Sequence, residues 1–274
     1  MNQQERRQFL IRQLLDEQPR YRDMAIPSGE TEQRRLLRSL FNVRMPDEIG
    51  EDFLNVQDDY LRKRISENGI VGLAEIPTLA DQGSMAPHGS RLSFWQGDIT
   101  RLDVDAIVNA ANSQMLGCFV PMHTCIDNCI HSFAGVQLRL ECHRQMEALR
   151  AKYGPGYEQP TAVPMLTDAY NLPAKKIVHI VGPIVSGKLT PEAEAELAAC
   201  YRNTLDLCAE NGLRSVAFCC ISTGVFGFPQ QRAAEIAVET VTAWLDAHEG
   251  QTDRVIFNVF TDKDRDLYAK LLQP

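Results

Sequence analysis

The sequence predicts an α/β protein, a three-layer α/β/α domain with a mixed central sheet, preceded by an N-terminal helical extension. Three observations predict it. Short runs such as AIVNA, SVAFCCI and VIFNVF are apolar throughout, as strands buried on both faces must be. Helical patterns fall between several of these runs, the alternation that builds a sheet covered by helices. The first eighty or so residues, in contrast, hold helical patterns alone. We therefore divide the chain into residues 1–85, the helical extension, and residues 86–274, the α/β domain, a size that 274 residues accommodate.

Taken in order, Phe9, Leu10, Gln13 and Leu14 fall on one helix face, and Leu36, Leu37, Leu40 and Phe41 on another. Residues 31–34 offer a start for that second helix. In the third, Ile49, Phe53, Val56, Tyr60 and Leu61 make an apolar stripe among charged neighbours, and Pro19, Pro27 and Pro46 separate the segments. Such stripes need a surface to cover, so the extension reads as a cap on the domain that follows. The segment IPTLADQGSMAPHG, residues 76–89, is rich in Pro, Gly and Ser and suits a linker. Strands are expected at 91–95, 105–109, 161–166, 176–181, 215–221 and 254–260. Helices are expected at 126–152, 191–211, 229–248 and 262–273.

The charge balance of 28 basic against 36 acidic residues, net −8, argues against broad nucleic-acid binding while leaving room for a small anionic ligand in a local pocket. The opening MNQQERRQFL lacks the apolar core of a secretory signal, and no stretch is long enough to span a bilayer. These features lead us to expect a soluble cytoplasmic protein without nucleic-acid or membrane partners. Its eight cysteines are then expected as reduced thiols rather than as a disulfide framework. A monomer is the default expectation.

The densest chemistry lies in GCFVPMHTCIDNCIHSFAG, residues 117–135. Cys118, His123 and Cys125 put two thiols and an imidazole into one short stretch, and Asp127 follows. Such a set can converge on a tetrahedral Zn²⁺ and leave its fourth position open, the mark of a catalytic rather than a closed structural site. Cysteines are also common core residues, and Ile126, Cys129, Ile130, Phe133, Gln137 and Leu140 keep helical spacing. Cys129 therefore reads as core, and His131 as a hydrogen-bonded structural histidine. The other three precede the periodic run, where burial explains them less well.

Ligands of open α/β sheets bind beyond the carboxyl ends of the strands. After the strand ending at Ile221 comes STGVFGFP, in which Ser222, Thr223, Gly224 and Gly227 let the backbone approach an anion and aim N–H groups at a diphosphate. The same composition also makes ordinary turns. GDIT supplies Asp98, a carboxylate able to accept from an amino group such as that of adenine; NAAN supplies carboxamides for sugar hydroxyls; Phe260 can stack on a base. Each of these residue types also serves as a cap, a turn or core. GPIVSGK, residues 182–188, is one residue short of a P-loop and has Leu189 where Ser or Thr must meet Mg²⁺, so it is set aside. The first strand is followed by no GxGxxG fingerprint.

In this order, GDIT, VNAAN, CIHSFAG, ISTGVFGFP and VFTDKDRDLY resemble the macrodomain family of ADP-ribose-binding and ADP-ribose-hydrolysing proteins, over residues 91–274. Where the family usually carries glycines before VDGxIH, this chain has the Cys/His loop, which resembles the zinc-containing subgroup that removes mono-ADP-ribose from proteins. The resemblance implies one Zn²⁺ per chain on Cys118, His123 and Cys125, and a substrate that is the ADP-ribose moiety of a mono-ADP-ribosylated protein, esterified to an acidic residue. It implies that Asp98 and the backbone of Ile99 hold adenine under Phe260, and that Ser222, Thr223, Gly224, Val225 and Phe226 cradle the diphosphate. Phe226 would also wall the distal ribose, with Asn112 addressing that sugar and Asp127 orienting or deprotonating water; Asp127 and Asn112 are the catalytic candidates. The alternatives are an ADP-ribose reader without turnover, a hydrolase of small derivatives such as O-acetyl-ADP-ribose, and a purely structural zinc.

Overall fold

A computed structural model of the chain describes residues 1–272. The chain forms two compact units, each assembled from separate stretches. Unit 1 holds residues 1–69, 114–157 and 169–172; unit 2 holds residues 70–113, 158–168 and 173 onward. The division at 85/86 follows the chain, whereas compactness groups the first three helices with the middle of the sequence.

Unit 1 is helical: α1 (Gln3–Glu17), α2 (Glu30–Val43), α3 (Glu51–Asn68), α4 (Ile126–Ala134) and α5 (Val136–Tyr153). Asn2 starts α1 with a reciprocal cap, its Oδ1 accepting from the Glu5 N–H at 2.9 Å while Glu5 accepts from the Asn2 N–H at 2.8 Å. The apolar faces read from the sequence close on one another as a core of Leu10, Ile11, Leu14, Leu37, Leu40, Phe41, Phe53, Tyr60, Leu61 and Val136. Burying each such side chain is worth about 1.5–3 kcal/mol.

The helix expected over 126–152 is two helices. Gly135, at φ 102°, breaks it, and Gln57 from α3 seals the break by accepting the Val136 N–H at 3.0 Å. A buried glutamine thus does for α5 what a local cap does elsewhere.

Unit 2 contains a six-stranded sheet in the order β2-β8-β7-β4-β6-β5. Its strands are β2 (Leu92–Gln96), β4 (Ala106–Ala111), β5 (Met165–Asp168), β6 (Lys176–Val181), β7 (Ser215–Phe218) and β8 (Arg254–Val259); β1 (Val71–Gly72) and β3 (Leu102–Asp103) pair separately. All pairings in the large sheet are parallel except β5 with β6, so the sheet is mixed, as expected. The helices of the unit are α6 (Pro191–Glu210), α7 (Gln230–Ala247) and α8 (Asp262–Leu272). The final residues of the expected 262–273 helix and 86–274 domain, 273 and 274, lie outside the described residues. None of the described helices is long and apolar enough to cross a membrane.

Three other expectations are corrected. The strand placed at 161–166 starts only at Met165, because residues 161–162 form a turn with Ala162 at φ 61° and Pro164 offers no N–H to a ladder. The strand placed at 215–221 ends at Phe218, which frees 219–221 to lead into the following loop. The 76–89 segment is no loose linker: Ile76 and Leu79 are buried and the Leu79 N–H donates to Leu92 O at 2.8 Å. Its Pro, Gly and Ser residues make turns anchored on the unit 2 core.

Inside that core, Asn109 of β4, His179 of β6 and Thr167 of β5 form a buried polar chain. Asn109 Nδ2 lies 3.0 Å from His179 Nδ1, and His179 Nε2 lies 3.0 Å from Thr167 Oγ1. Burial lowers His179 to about 3, so the ring is neutral.

Candidate nucleotide-binding edge and metal loop

Because β2, β4, β6, β7 and β8 are mutually parallel, their carboxyl ends share one edge of the unit 2 sheet. That edge collects Asp98 and Ile99 after β2, Asn112 after β4, Ser222 to Phe226 after β7 and Phe260 after β8. The sequence separates them by up to 162 positions, from 98 to 260, and the topology brings them together.

Asp98 caps a single 3₁₀ turn, Oδ1 accepting from the Thr100 N–H at 3.0 Å and from Thr100 Oγ1 at 2.7 Å. That grip orients the carboxylate. Ile99 is buried. Asn258, on β8, shapes the entry to this turn by donating from Nδ2 to Gly97 O at 3.0 Å and to Trp95 O at 3.3 Å. Nothing in the sequence marked Asn258, which sits inside an apolar strand. Phe260 is 75% exposed, so its ring is presented rather than packed. Asn112 is half-buried.

The loop after β7 turns sharply at Ser222, which is 5% exposed and has φ 64°. Its hydroxyl finds no hydrogen-bond partner among the described residues. Main-chain bonds hold the loop: Phe228 N–H to Ser222 O at 3.0 Å and Gly227 N–H to Gly224 O at 3.1 Å. Thr223 Oγ1 donates to Cys220 O at 3.0 Å, while Val225 and Gly224 face outward.

The rejected P-loop look-alike has a place here, since the Val185 N–H donates to Phe226 O at 2.8 Å. A Cβ at Gly182 would lie 2.1 Å from Ser222 Oγ and 2.7 Å from Ile221 Cγ2. Glycine is therefore required by close approach, not by nucleotide chemistry.

In unit 1, Cys118, His123 and Cys125 converge, with Sγ, imidazole nitrogen and Sγ all within 4.8 Å of one another. Cys118 Sγ lies 3.6 Å from His123 Nδ1. With Zn–S of about 2.3 Å and Zn–N of about 2.0–2.1 Å, a tetrahedral edge between S and N measures about 3.6 Å, so the residues fit zinc. Cys125 is also the N-cap of α4, its Sγ accepting from the Asn128 N–H at 3.4 Å. Burial pushes its thiol up to about 12, opposed by that N–H. A thiolate there needs a cation beside it.

Gly117, at φ 79°, precedes the first ligand, and a Cβ on it would lie 2.7 Å from the His131 ring. His131 is buried and walls this turn.

Asp127 sits in the first turn of α4, buried, with Oδ1 3.6 Å from His131 Nε2. Burial lowers Arg139 to about 10, and the Asp127 charge opposes that shift. The Arg139 guanidinium is tied to the carbonyls of Leu116 at 2.7 Å, Phe41 and Asn42 at 3.0 Å each, and Arg44, and lies over the Phe119 ring. Cys129, expected in the core, is half-buried instead, its Sγ 3.4 Å from Arg38 Nη2, because α2 brings a guanidinium to that side of α4.

Residues 108–237 match the model of the Macro domain family. A protein-ADP-ribose hydrolase of Treponema medium is 51% identical over 272 residues, spanning 99% of this chain and all of that protein. The chain belongs to the macro domain family. A protein-ADP-ribose hydrolase of Staphylococcus aureus strain Mu50 is 41% identical over 268 residues, 97% of this chain and 95% of that protein. Among solved structures, the Trypanosoma brucei macrodomain in complex with ADP-ribose superposes with a TM-score of 0.65 at 27% identity, covering 89% of this chain and 96% of the other.

Proposed function

We propose that this protein is a zinc-dependent hydrolase that removes mono-ADP-ribose from modified proteins, working as a cytoplasmic monomer. The observation that carries the reading is the Cys118, His123 and Cys125 trio at zinc-ligand spacing, in a chain related over its full length to proteins named protein-ADP-ribose hydrolases. The reaction adds water across the ester between the distal ribose and an acidic side chain, giving ADP-ribose and the free carboxylic acid.

The sheet edge of unit 2 binds the nucleotide. The turn-held Asp98 carboxylate accepts from the adenine amino group beside the Ile99 backbone, and the exposed Phe260 ring covers the base. Ser222 to Phe226 meet the diphosphate with main-chain N–H groups and the Ser222 hydroxyl, and Phe226 walls the distal ribose. The Asn112 carboxamide both donates to and accepts from that ribose. Asp127 orients the attacking water and holds its proton, a role for which a buried carboxylate suits. When held by Cys118, His123 and Cys125, zinc supplies a Lewis acid that lowers the pKa of an oxygen ligand.

The deciding experiment pairs metal content with release of ADP-ribose from a protein mono-ADP-ribosylated on acidic residues, for wild type and Cys125→Ala. We expect about one zinc per chain, lost together with hydrolysis in a variant that stays folded. Protein purified without chelator that contains no zinc would sink the zinc reading. Tight ADP-ribose binding with no release would instead make the protein a reader, and turnover confined to O-acetyl-ADP-ribose would reassign the substrate.

A further inference from the structure

We propose that α2 is a positioning element for the metal loop: Arg38 and Asn42 fix the shape in which Cys118, His123 and Cys125 take zinc, and so set how tightly it is held. This rests on the zinc reading above. The loop that carries the three ligands contains no helix or strand from Ser113 to Cys125, and the His123 N–H donates to Val120 O at 3.2 Å within it.

Further constraints come from side chains. Arg38 Nη2 donates to the main-chain oxygen of His123 at 2.8 Å and to Asn128 Oδ1 at 2.9 Å. Asn128, fully buried, passes the grip on: Nδ2 donates to Cys118 O at 3.2 Å and to Val120 O at 2.9 Å, and its N–H donates to Cys125 Sγ. Arg38 and Asn128 together thus touch all three ligand residues. The residue before His123, Met122, is held at φ 59°, a conformation that a side chain such as methionine rarely adopts. Asn42 secures it by accepting the Met122 N–H at 2.9 Å, while Asn42 Nδ2 anchors on Ser132 Oγ of α4 at 2.8 Å. The Arg38 guanidinium is itself braced over the Phe133 ring, 5.5 Å from its centroid.

Groups that orient metal ligands without touching the metal change metal affinity by about 10–100-fold. Arg38 and Asn42 belong to the first forty-odd residues of the chain. The extension therefore acts in building the metal loop as well as in closing its own core.

The test uses the full chain and three variants, Arg38→Met, Asn42→Ala and Arg38→Lys. Zinc affinity is measured by competition with a chromogenic chelator, the ligand field by the visible spectrum of the Co²⁺-loaded protein, and folding by thermal unfolding of the metal-free form. We expect Arg38→Met and Asn42→Ala to weaken zinc about 10–100-fold and to move the thiolate-to-cobalt bands, in metal-free proteins that remain folded. Arg38→Lys, which keeps a cationic donor, should fall between them and wild type. Wild-type zinc affinity and an unchanged cobalt spectrum in folded Arg38→Met and Asn42→Ala would overturn the inference while leaving the zinc reading intact. A wild type that takes up no zinc would overturn both. If Arg38→Met fails to fold, Arg38→Lys and Asn42→Ala carry the comparison.

Discussion

In unit 2, the loop from Ser222 to Gly227 is held by main-chain groups: a left-handed turn at Ser222, a left-handed Gly227, its own N–H to O bonds and the Val185 N–H on Phe226 O. In unit 1, the loop carrying Cys118, His123 and Cys125 is shaped by side chains from a helix 80 to 90 positions earlier. The first arrangement is made of main-chain bonds and suits a site that binds by presenting N–H groups. The second couples ligand geometry to the packing of α2 and suits a site whose chemistry depends on the placement of a few atoms. On the proposed function, unit 2 should govern affinity for ADP-ribose, and unit 1 the rate at which it is released.

Three variants put that division at risk. The largest effect is expected from Asp127→Asn, which preserves shape and leaves the metal ligands in place. Hydrolysis should fall by roughly 10²–10⁴-fold, with zinc content unchanged and ADP-ribose affinity within a few-fold of wild type. Lost affinity with an undiminished single-turnover rate would reverse the assignment of unit 1.

Next comes Gly182→Ala, whose new methyl must displace Ser222 and Ile221. Overpacking of this kind costs about 1–3 kcal/mol of stability, and calorimetric titration should show ADP-ribose bound roughly tenfold or more weakly, about 1.4 kcal/mol. A lower Tm with wild-type affinity would remove the 222–227 loop from the binding site.

The smallest effect belongs to Phe260→Ala. Loss of an aromatic contact worth about 0.5–1.5 kcal/mol should weaken ADP and ADP-ribose alike by roughly 2–12-fold. The Tm should barely move, since the ring is mostly exposed. Unchanged ADP affinity would leave the adenine without its cover.

Much of unit 2 was legible before any coordinates. The strand Lys176–Val181 stands where its apolar run places it, and Arg254–Val259 falls one residue short. Both are buried on both faces, so the sequence must show them as unbroken apolar runs. The 126–152 pattern misled because helical periodicity continues across Gly135, and the residue that makes the break tolerable, Gln57, lies in another helix. Residues 161–164 misled because β-branched and apolar types there pointed to a strand, while Ala162 turns at φ 61° and Pro164 removes an N–H donor.

The convergence of Cys118, His123 and Cys125 was legible by residue type and spacing, because the chain crowds three side chains of zinc-ligand type into one short stretch. Arg38, Asn42 and Asn258 were not, since each is an ordinary polar residue whose meaning lies in a carbonyl or N–H far along the chain.

What the sequence determined by itself, then, is the inventory: an α/β sheet with strands of known identity, polar loops at the strand ends, and a Cys/His cluster of metal-binding chemistry. These follow from local composition and periodicity, which act over a few residues. Only the tertiary structure decided that five strands share one edge with their carboxyl ends, that residues 182–188 brace the 222–227 loop, and that α2 holds the loop of Cys118, His123 and Cys125. Those are long-range contacts, whose partners the chain selects by packing and hydrogen-bond satisfaction once distant segments meet.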